Sequence, residues 1–248
     1  MSEVLVLCYH AISPTWAAPL SLSPELFERQ MTMLVRRGWQ ATTFRDAVRE
    51  PPAPKTLAVT FDDAFASVYD EAYPILSSLG MPATVFAPTA FMSERQPLHW
   101  NGIDHWLQTD SAPELRSMSW EDLGRLHQAG WEVGSHTRTH PRLTNLDDAA
   151  VRDELAESRQ EIATHLSAPC ETVAYPYGDV DARVADAAES AGYVAGAALA
   201  SGLRSRGLQR WPRVGIYNGD QMWRFRLKIS RSTRRLRASR FWRSATSR

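Results

Sequence analysis

The stretch Thr56-Leu57-Ala58-Val59-Thr60-Phe61-Asp62-Asp63 sets an apolar run directly against two adjacent carboxylates. A run without polar alternation reads as a strand buried on both faces, as in a parallel sheet covered by helices. Three other stretches repeat the arrangement. Val4–Cys8 leads into Tyr9-His10, Trp131–Gly134 into Ser135-His136 and on to His140, and Thr172–Tyr175 into Pro176-Tyr177-Gly178. Each polar cluster sits just past the C-terminal end of a predicted strand. Further strands are predicted at Ala83–Ala87, Val194–Ala197 and Arg213–Ile216.

Helical patterns fill the spaces between. Ser23-Pro24-Glu25 opens one with an N-cap serine and a first-turn proline, and Leu26, Phe27, Met31, Leu34 and Val35 line one face of it up to Gly38. Others are predicted from Phe65 to Leu79, from the capping-box-like Ser119–Asp122 to Gly130, from Asp147 to Leu166 and from Asp181 to Ala191. This alternation, about seven or eight βα units without an internal repeat, predicts an α/β barrel. All strand ends of such a barrel open on one face, where active sites are built. The four polar clusters therefore converge on one mouth. Segment 88–118 is long, mixed and rich in Trp and His, and reads as a functional loop or lid. Its Trp100 either stacks on a substrate ring or packs down within a lid helix.

The 248 residues carry 28 basic and 28 acidic side chains, but residues 221–248 hold ten basic residues and no acidic one. The first 220 residues are left with 18 basic against 28 acidic, a net of −10. An acidic body has the wrong sign for nucleic acid, and no nucleic-acid partner is expected. The expected division is a catalytic domain over 1–220 and a basic, aromatic-containing tail over 221–248. That tail is either a last helix or solvated segment beside the body, or a peripheral contact with an anionic membrane. Cys8 and Cys170 lie in no CxxC, which removes thiolate metal and redox readings. No basic leader and no apolar run of about 18 residues is present. The expected location is the cytoplasm, with a peripheral place at the inner face of the membrane as the alternative that the tail leaves open.

His136 and His140 have H-x-x-x-H spacing, which on a helical turn points two imidazoles at one divalent ion. Thr137 and Arg138 stand between them, so the HExxH protease with its glutamate base is excluded. Asp62 and Asp63 repel each other unless something cationic lies beside them. Asp63 could cap the following helix. Taken with the histidines, one aspartate completes a His-His-Asp metal site and the other is free to take a proton from water.

TFDD at 60–63, SHTRTH at 135–140 and YPYG at 175–178, in this order, resemble the first three motifs of the NodB-homology polysaccharide deacetylases, carbohydrate esterase family 4. The resemblance spans roughly residues 4–218. It implies an irregular (β/α)7 barrel and metal-dependent removal of N-acetyl or O-acetyl groups from sugars. Residue by residue it implies Asp63, His136 and His140 as ligands of one divalent ion, Zn2+ foremost, with Co2+, Ni2+ or Mn2+ as alternatives. It further implies Asp62 as general base and the Tyr177 N–H as an oxyanion donor, in a turn shaped by Pro176 and Gly178 at the substrate. Two departures stand out. Glu171, Val173 and Ala174 precede YPYG where many members carry an arginine, which leaves Arg213 as the candidate to support the base or meet substrate. No histidine follows His165, so the family's C-terminal Leu-x-His is absent. His10 resembles the N-terminal Tyr-His of the branch containing poly-N-acetylglucosamine deacetylases and is the candidate to protonate the leaving amine; the bland alternative is a strand-end histidine bonded to backbone. The expected activity is de-N-acetylation of a poly-, oligo- or lipid-linked saccharide. An O-acetyl ester, a non-sugar amide and non-catalytic saccharide binding are the alternatives, the last disfavoured by the spare carboxylate.

Overall fold

The structure is a computed structural model and describes residues 3–93, 95–199 and 207–238. In chain order its strands are β1 (Glu3–Tyr9), β2 (Ala11–Ile12), β3 (Ser21–Leu22), β4 (Gln40–Thr42), β5 (Lys55–Phe61), β6 (Thr84–Ala87), β7 (Glu132–Ser135), β8 (Thr172–Ala174), β9 (Ala195–Ala198), β10 (Trp211–Pro212) and β11 (Val214–Gly215). β1 pairs in parallel with β5 along its whole length, Glu3 opposite Lys55 through Tyr9 opposite Phe61. From β5 the parallel sheet runs through β6, β7 and β8 to β9. The extended segment Trp211–Gly215 then completes the ring, because β10 pairs with β9 while β11 pairs with β1. Counted as one strand, that segment makes the seventh stave of an irregular (β/α)7 barrel, as the motifs implied. β4 adds a short pairing on the early part of β5, and β2 with β3 forms a separate ribbon.

The sheet's two faces bury different sets of residues, as period-two alternation requires. Val6, Ala58, Phe86, Ala174 and Ala197 form a small inner cluster. Phe44, Ala47 and Val48 of the short helix α2 (Phe44–Arg49) join them. Leu5, Leu7, Leu57 and Val59 point the other way into the main core, shared with α1 (Pro24–Arg36), α3 (Tyr73–Ser78), α4 (Trp120–Gln128), α5 (Asp148–Leu166) and α6 (Ala182–Ser190). Ser23 caps α1, Asp147 caps α5 and Asp181 caps α6, while Ser119 and Asp122 close a capping box on α4. A cap of this kind stabilises a helix by about 1 kcal/mol.

Three expectations change. The lid helix offered as one alternative for Trp100 is absent: among its described residues, segment 88–118 folds as the short 3-10 turns Thr89–Phe91, Asp104–Gln108 and Ala112–Leu115. The helix predicted from Phe65 begins at Val68 with a π-turn that leads into α3. The body also extends past residue 220. α7 (Met222–Ile229) buries Phe225 and Ile229 in the main core, and α8 (Arg231–Ala238) follows it. Phe225 and Ile229 lie four residues apart on one helix face, so the barrel receives them as it receives α1. Phe241 and Trp242 of the tail lie outside the described residues. No helix among the described residues is long and apolar enough to cross a membrane.

Candidate active site and metal centre

Asp62 and Asp63 leave the end of β5, and His136 leaves the end of β7. The helical turn expected for His136–His140 is absent. This stretch is a loop in which Thr137 (φ 64°) and His140 (φ 62°) are left-handed. Such residues cost about 1–3 kcal/mol and persist only where the surroundings hold them. Here the Thr137 N–H donates to Ser135 Oγ at 3.0 Å and the His140 N–H to Thr137 Oγ1 at 3.1 Å. The fold-back sets the two imidazole centroids 4.9 Å apart and puts both Nε2 atoms 3.3 Å from Asp63 Oδ1. Asp63 is itself left-handed (φ 69°) and caps no helix.

These donors fit a single divalent ion. His136 Nδ1 donates to the Ala174 carbonyl at 2.8 Å, which turns the Nε2 lone pair toward Asp63. A lone pair then faces an acceptor oxygen in a buried site, an arrangement that needs a cation or a proton between. Asp63 Oδ1 has no hydrogen-bond partner among the described residues, and the three donor atoms lie within 4.8 Å of one another. Burial pushes the Asp63 carboxyl up, but His136 and His140 outweigh it and hold that carboxyl well below the usual range. Burial pushes the His136 imidazole down, while Asp62 and Asp63 together push it up further. At His140 burial prevails and lowers the imidazole. Two nitrogens and a carboxylate oxygen suit Zn2+ among common ions.

Asp62 is turned differently. Arg213 Nη1 donates to its Oδ1 at 2.6 Å and Nη2 to its Oδ2 at 2.8 Å, while the Cys8 thiol lies 3.4 Å from Oδ2. Burial raises the Asp62 carboxyl, yet the guanidinium and His136 hold it down at about 2. Arg213 is fully buried and also donates to Thr60 Oγ1 at 3.0 Å. It therefore lies behind the carboxylate and not on the cavity wall, so it has no place as a substrate contact. Pro176 is likewise buried outside the cavity lining.

His10, Asp62, Asp63, His136, His140 and Tyr177 share a cavity of about 550 Å3 at the barrel mouth. His10 Nδ1 has no partner among the described residues, and its ring stacks 6.2 Å from that of Tyr217. Tyr177 is left-handed (φ 59°), and its ring rests 4.8 Å from His140 beneath the Arg142 guanidinium at 4.1 Å. Gly178 is required beside it. Its φ is 67°, and a Cβ there would meet Leu199 at 2.7 Å. Trp100 lines the cavity but stacks on His140 at 4.0 Å, so one of its faces is already taken.

Cys8, Tyr217, Arg142 and Asn101, whose carbonyl accepts from the Tyr177 hydroxyl at 3.3 Å, were not singled out from the sequence. Tyr217 alone carried a usable signal, since it follows a strand end as the other clusters do. Cys8 is indistinguishable from core inside VLVLC.

A seven-stave barrel with a buried Asp-His-His cluster and a second carboxylate at its mouth has the layout of a hydrolase site. The sequence profile of the polysaccharide deacetylases matches residues 49–196, and the chain belongs to that family. It is 27% identical to YxkH of Bacillus subtilis (strain 168) over 225 residues, 88% of this chain and 73% of that protein. It is 26% identical over 170 residues to the poly-beta-1,6-N-acetyl-D-glucosamine N-deacetylase of Staphylococcus aureus (strain MSSA476), a match over 64% of this chain and 54% of that enzyme. The Streptococcus pyogenes deacetylase PplD, solved with acetate, shares the fold with a TM-score of 0.77 at 22% identity, over 92% of this chain and 98% of that one. IcaB from Ammonifex degensii shares it with a TM-score of 0.71 at 21% identity, over 93% and 98%.

Proposed function

We propose that this protein is a metal-dependent hydrolase that removes N-acetyl groups from an N-acetylated saccharide and releases acetate. The observation that carries the reading is an ionised Asp62, gripped by Arg213, sharing one cavity with the Asp63, His136 and His140 cluster. Those three residues would hold one divalent ion, with Zn2+ preferred over Co2+, Ni2+ or Mn2+. When bound, the ion supplies a Lewis acid that acidifies water and polarises the acetyl carbonyl. Asp62 accepts the proton of the attacking water. Its low proton affinity does not disqualify it, because the guanidinium keeps it in the form that can receive one. The Tyr177 N–H, turned by its left-handed backbone, donates to the oxyanion. His10, across the cavity, delivers a proton to the departing amine nitrogen, and the products are acetate and a free amino sugar.

The substrate class follows the Staphylococcus aureus relative, whose name specifies a poly-N-acetylglucosamine. The test is acetate release from β-1,6-linked N-acetylglucosamine oligomers by the metal-loaded protein, alongside an O-acetylated sugar and a simple acetamide. Turnover of the oligomer that falls sharply in Asp62→Asn and His10→Ala is expected. Release from the ester alone would move the activity to O-deacetylation, and equal turnover in Asp62→Asn would overturn the mechanism.

A further inference from the structure

The C-terminal helices carry a surface that the deacetylase site does not use. On α1, Arg29, Met33 and Arg36 share one face at i, i+4 and i+7 spacing, with Arg37 at the helix end. On α7, Met222 and Arg226 lie beside them, and the groove between the two helices encloses about 450 Å3. The four guanidiniums of Arg29, Arg36, Arg37 and Arg226 make no ion pair among the described residues, and only one carboxylate, Glu28, lines the groove with them. Two acids that the C-terminal helices reach are already engaged. Asp220 takes Arg224 and Lys228, and Glu3 takes Arg234.

Next to this groove is an apolar crest. Trp223 is 68% exposed and Leu227 is 55% exposed, one turn apart on α7, and Leu236 of α8 is 56% exposed. A lone exposed leucine is ordinary. A tryptophan and a leucine on one outer face, flanked by arginines in a segment without a single acidic residue, have the composition of a helix that lies in a membrane interface.

We infer that the α1–α7 groove and the Trp223–Leu227 crest dock this protein on the surface of an anionic phospholipid bilayer. The four unpaired guanidiniums supply the charge complement to lipid phosphates, and the two apolar side chains enter the interface. A nucleic-acid duplex would satisfy the arginines and leave Trp223 and Leu227 in water. Arg234 of α8 bonds to Glu3 and to the Val4 carbonyl, at the start of β1, whereas the cavity opens at the strands' other ends.

The test is co-sedimentation of the full-length protein with vesicles of phosphatidylcholine alone or mixed equally with phosphatidylglycerol. Trp223→Ser/Leu227→Ser keeps the charge, and Arg29→Gln/Arg36→Gln/Arg226→Gln keeps the apolar crest; circular dichroism checks the fold of both. Wild-type protein is expected to sediment with the anionic vesicles only. The arginine variant should lose about a hundredfold in partitioning, and the apolar variant at least about tenfold. Wild-type protein that stays in the supernatant would overturn the inference, as would two variants that bind like wild type. Full vesicle binding by the apolar variant, with duplex DNA bound through the same three arginines, would also overturn it in favour of a general polyanion site.

Discussion

Arg213 grips Asp62 with both terminal guanidinium nitrogens, at 2.6 and 2.8 Å, across 151 positions of sequence. The pair is buried at the seam where the barrel closes, since Arg213 is the residue between β10 and β11. A carboxylate buried this deeply would otherwise take up a proton, and this contact opposes that.

Arg213→Gln should therefore raise the Asp62 carboxyl, because the largest influence opposing burial is removed and His136 alone offsets less of it. In the wild type that carboxyl is held at about 2, below its ordinary value, so the pair contributes stability above the unfolded-state pKa and loses it as pH falls through about 2. The acid limb of the acetate-release profile should move to higher pH in Arg213→Gln, and urea unfolding at neutral pH should show a loss of about 3–5 kcal/mol. Arg213→Lys keeps the charge without the fork and should fall between. An unmoved acid limb would separate Arg213 from the base.

Metal content and turnover should part company within one cluster. Asp63→Ala, His136→Ala and His140→Ala are expected to lose the bound divalent ion on dialysis, by elemental analysis. Asp62→Asn should keep it while acetate release drops about a hundred- to ten-thousandfold. Equal metal content in all four variants would remove the ligand assignment.

Gly178→Ala places a methyl group 2.7 Å from Leu199 at a φ of 67°. The turn that presents the Tyr177 amide must shift, at a cost of about 1–3 kcal/mol in stability, and kcat should fall more than KM rises. Gly130 has a similar φ of 87° but open space around it, so Gly130→Ala should leave turnover intact. Thermal melts and steady-state kinetics on the two variants decide the point.

Phe225 is fully buried in the main core. A chain ended at residue 220 should fail to give a cooperative unfolding transition, and Phe225→Ala in the full chain should lose about 3–5 kcal/mol in denaturant titration. A stable, cooperative 1–220 fragment would restore the boundary first drawn from charge.

Charge drew that boundary in the wrong place because composition records side chains along the chain and not the face they occupy. Arg224, Arg226 and Lys228 mark α7 as cationic, yet Phe225 and Ile229 fasten it to the barrel. Trp100 and Trp106 of segment 88–118 line the cavity, but the segment's 3-10 turns leave no periodicity to read.

The sequence by itself determined which residues could meet. Apolar runs bury strands, a polar residue past each run falls at a strand end, and a parallel barrel collects those ends on one face. His10, Asp62, Asp63, His136, His140 and Tyr177 were all legible on that ground, and all six share the cavity. How they meet was decided only by tertiary structure. The imidazoles converge on Asp63 through the left-handed Thr137 and His140, where the spacing alone suggested a helix. Such residues are locally unfavourable, and only the surrounding fold holds them there. Arg213 reaches Asp62 because one five-residue segment pairs with β9 on one side and β1 on the other, a closure that depends on contacts between distant parts of the chain and leaves no local trace.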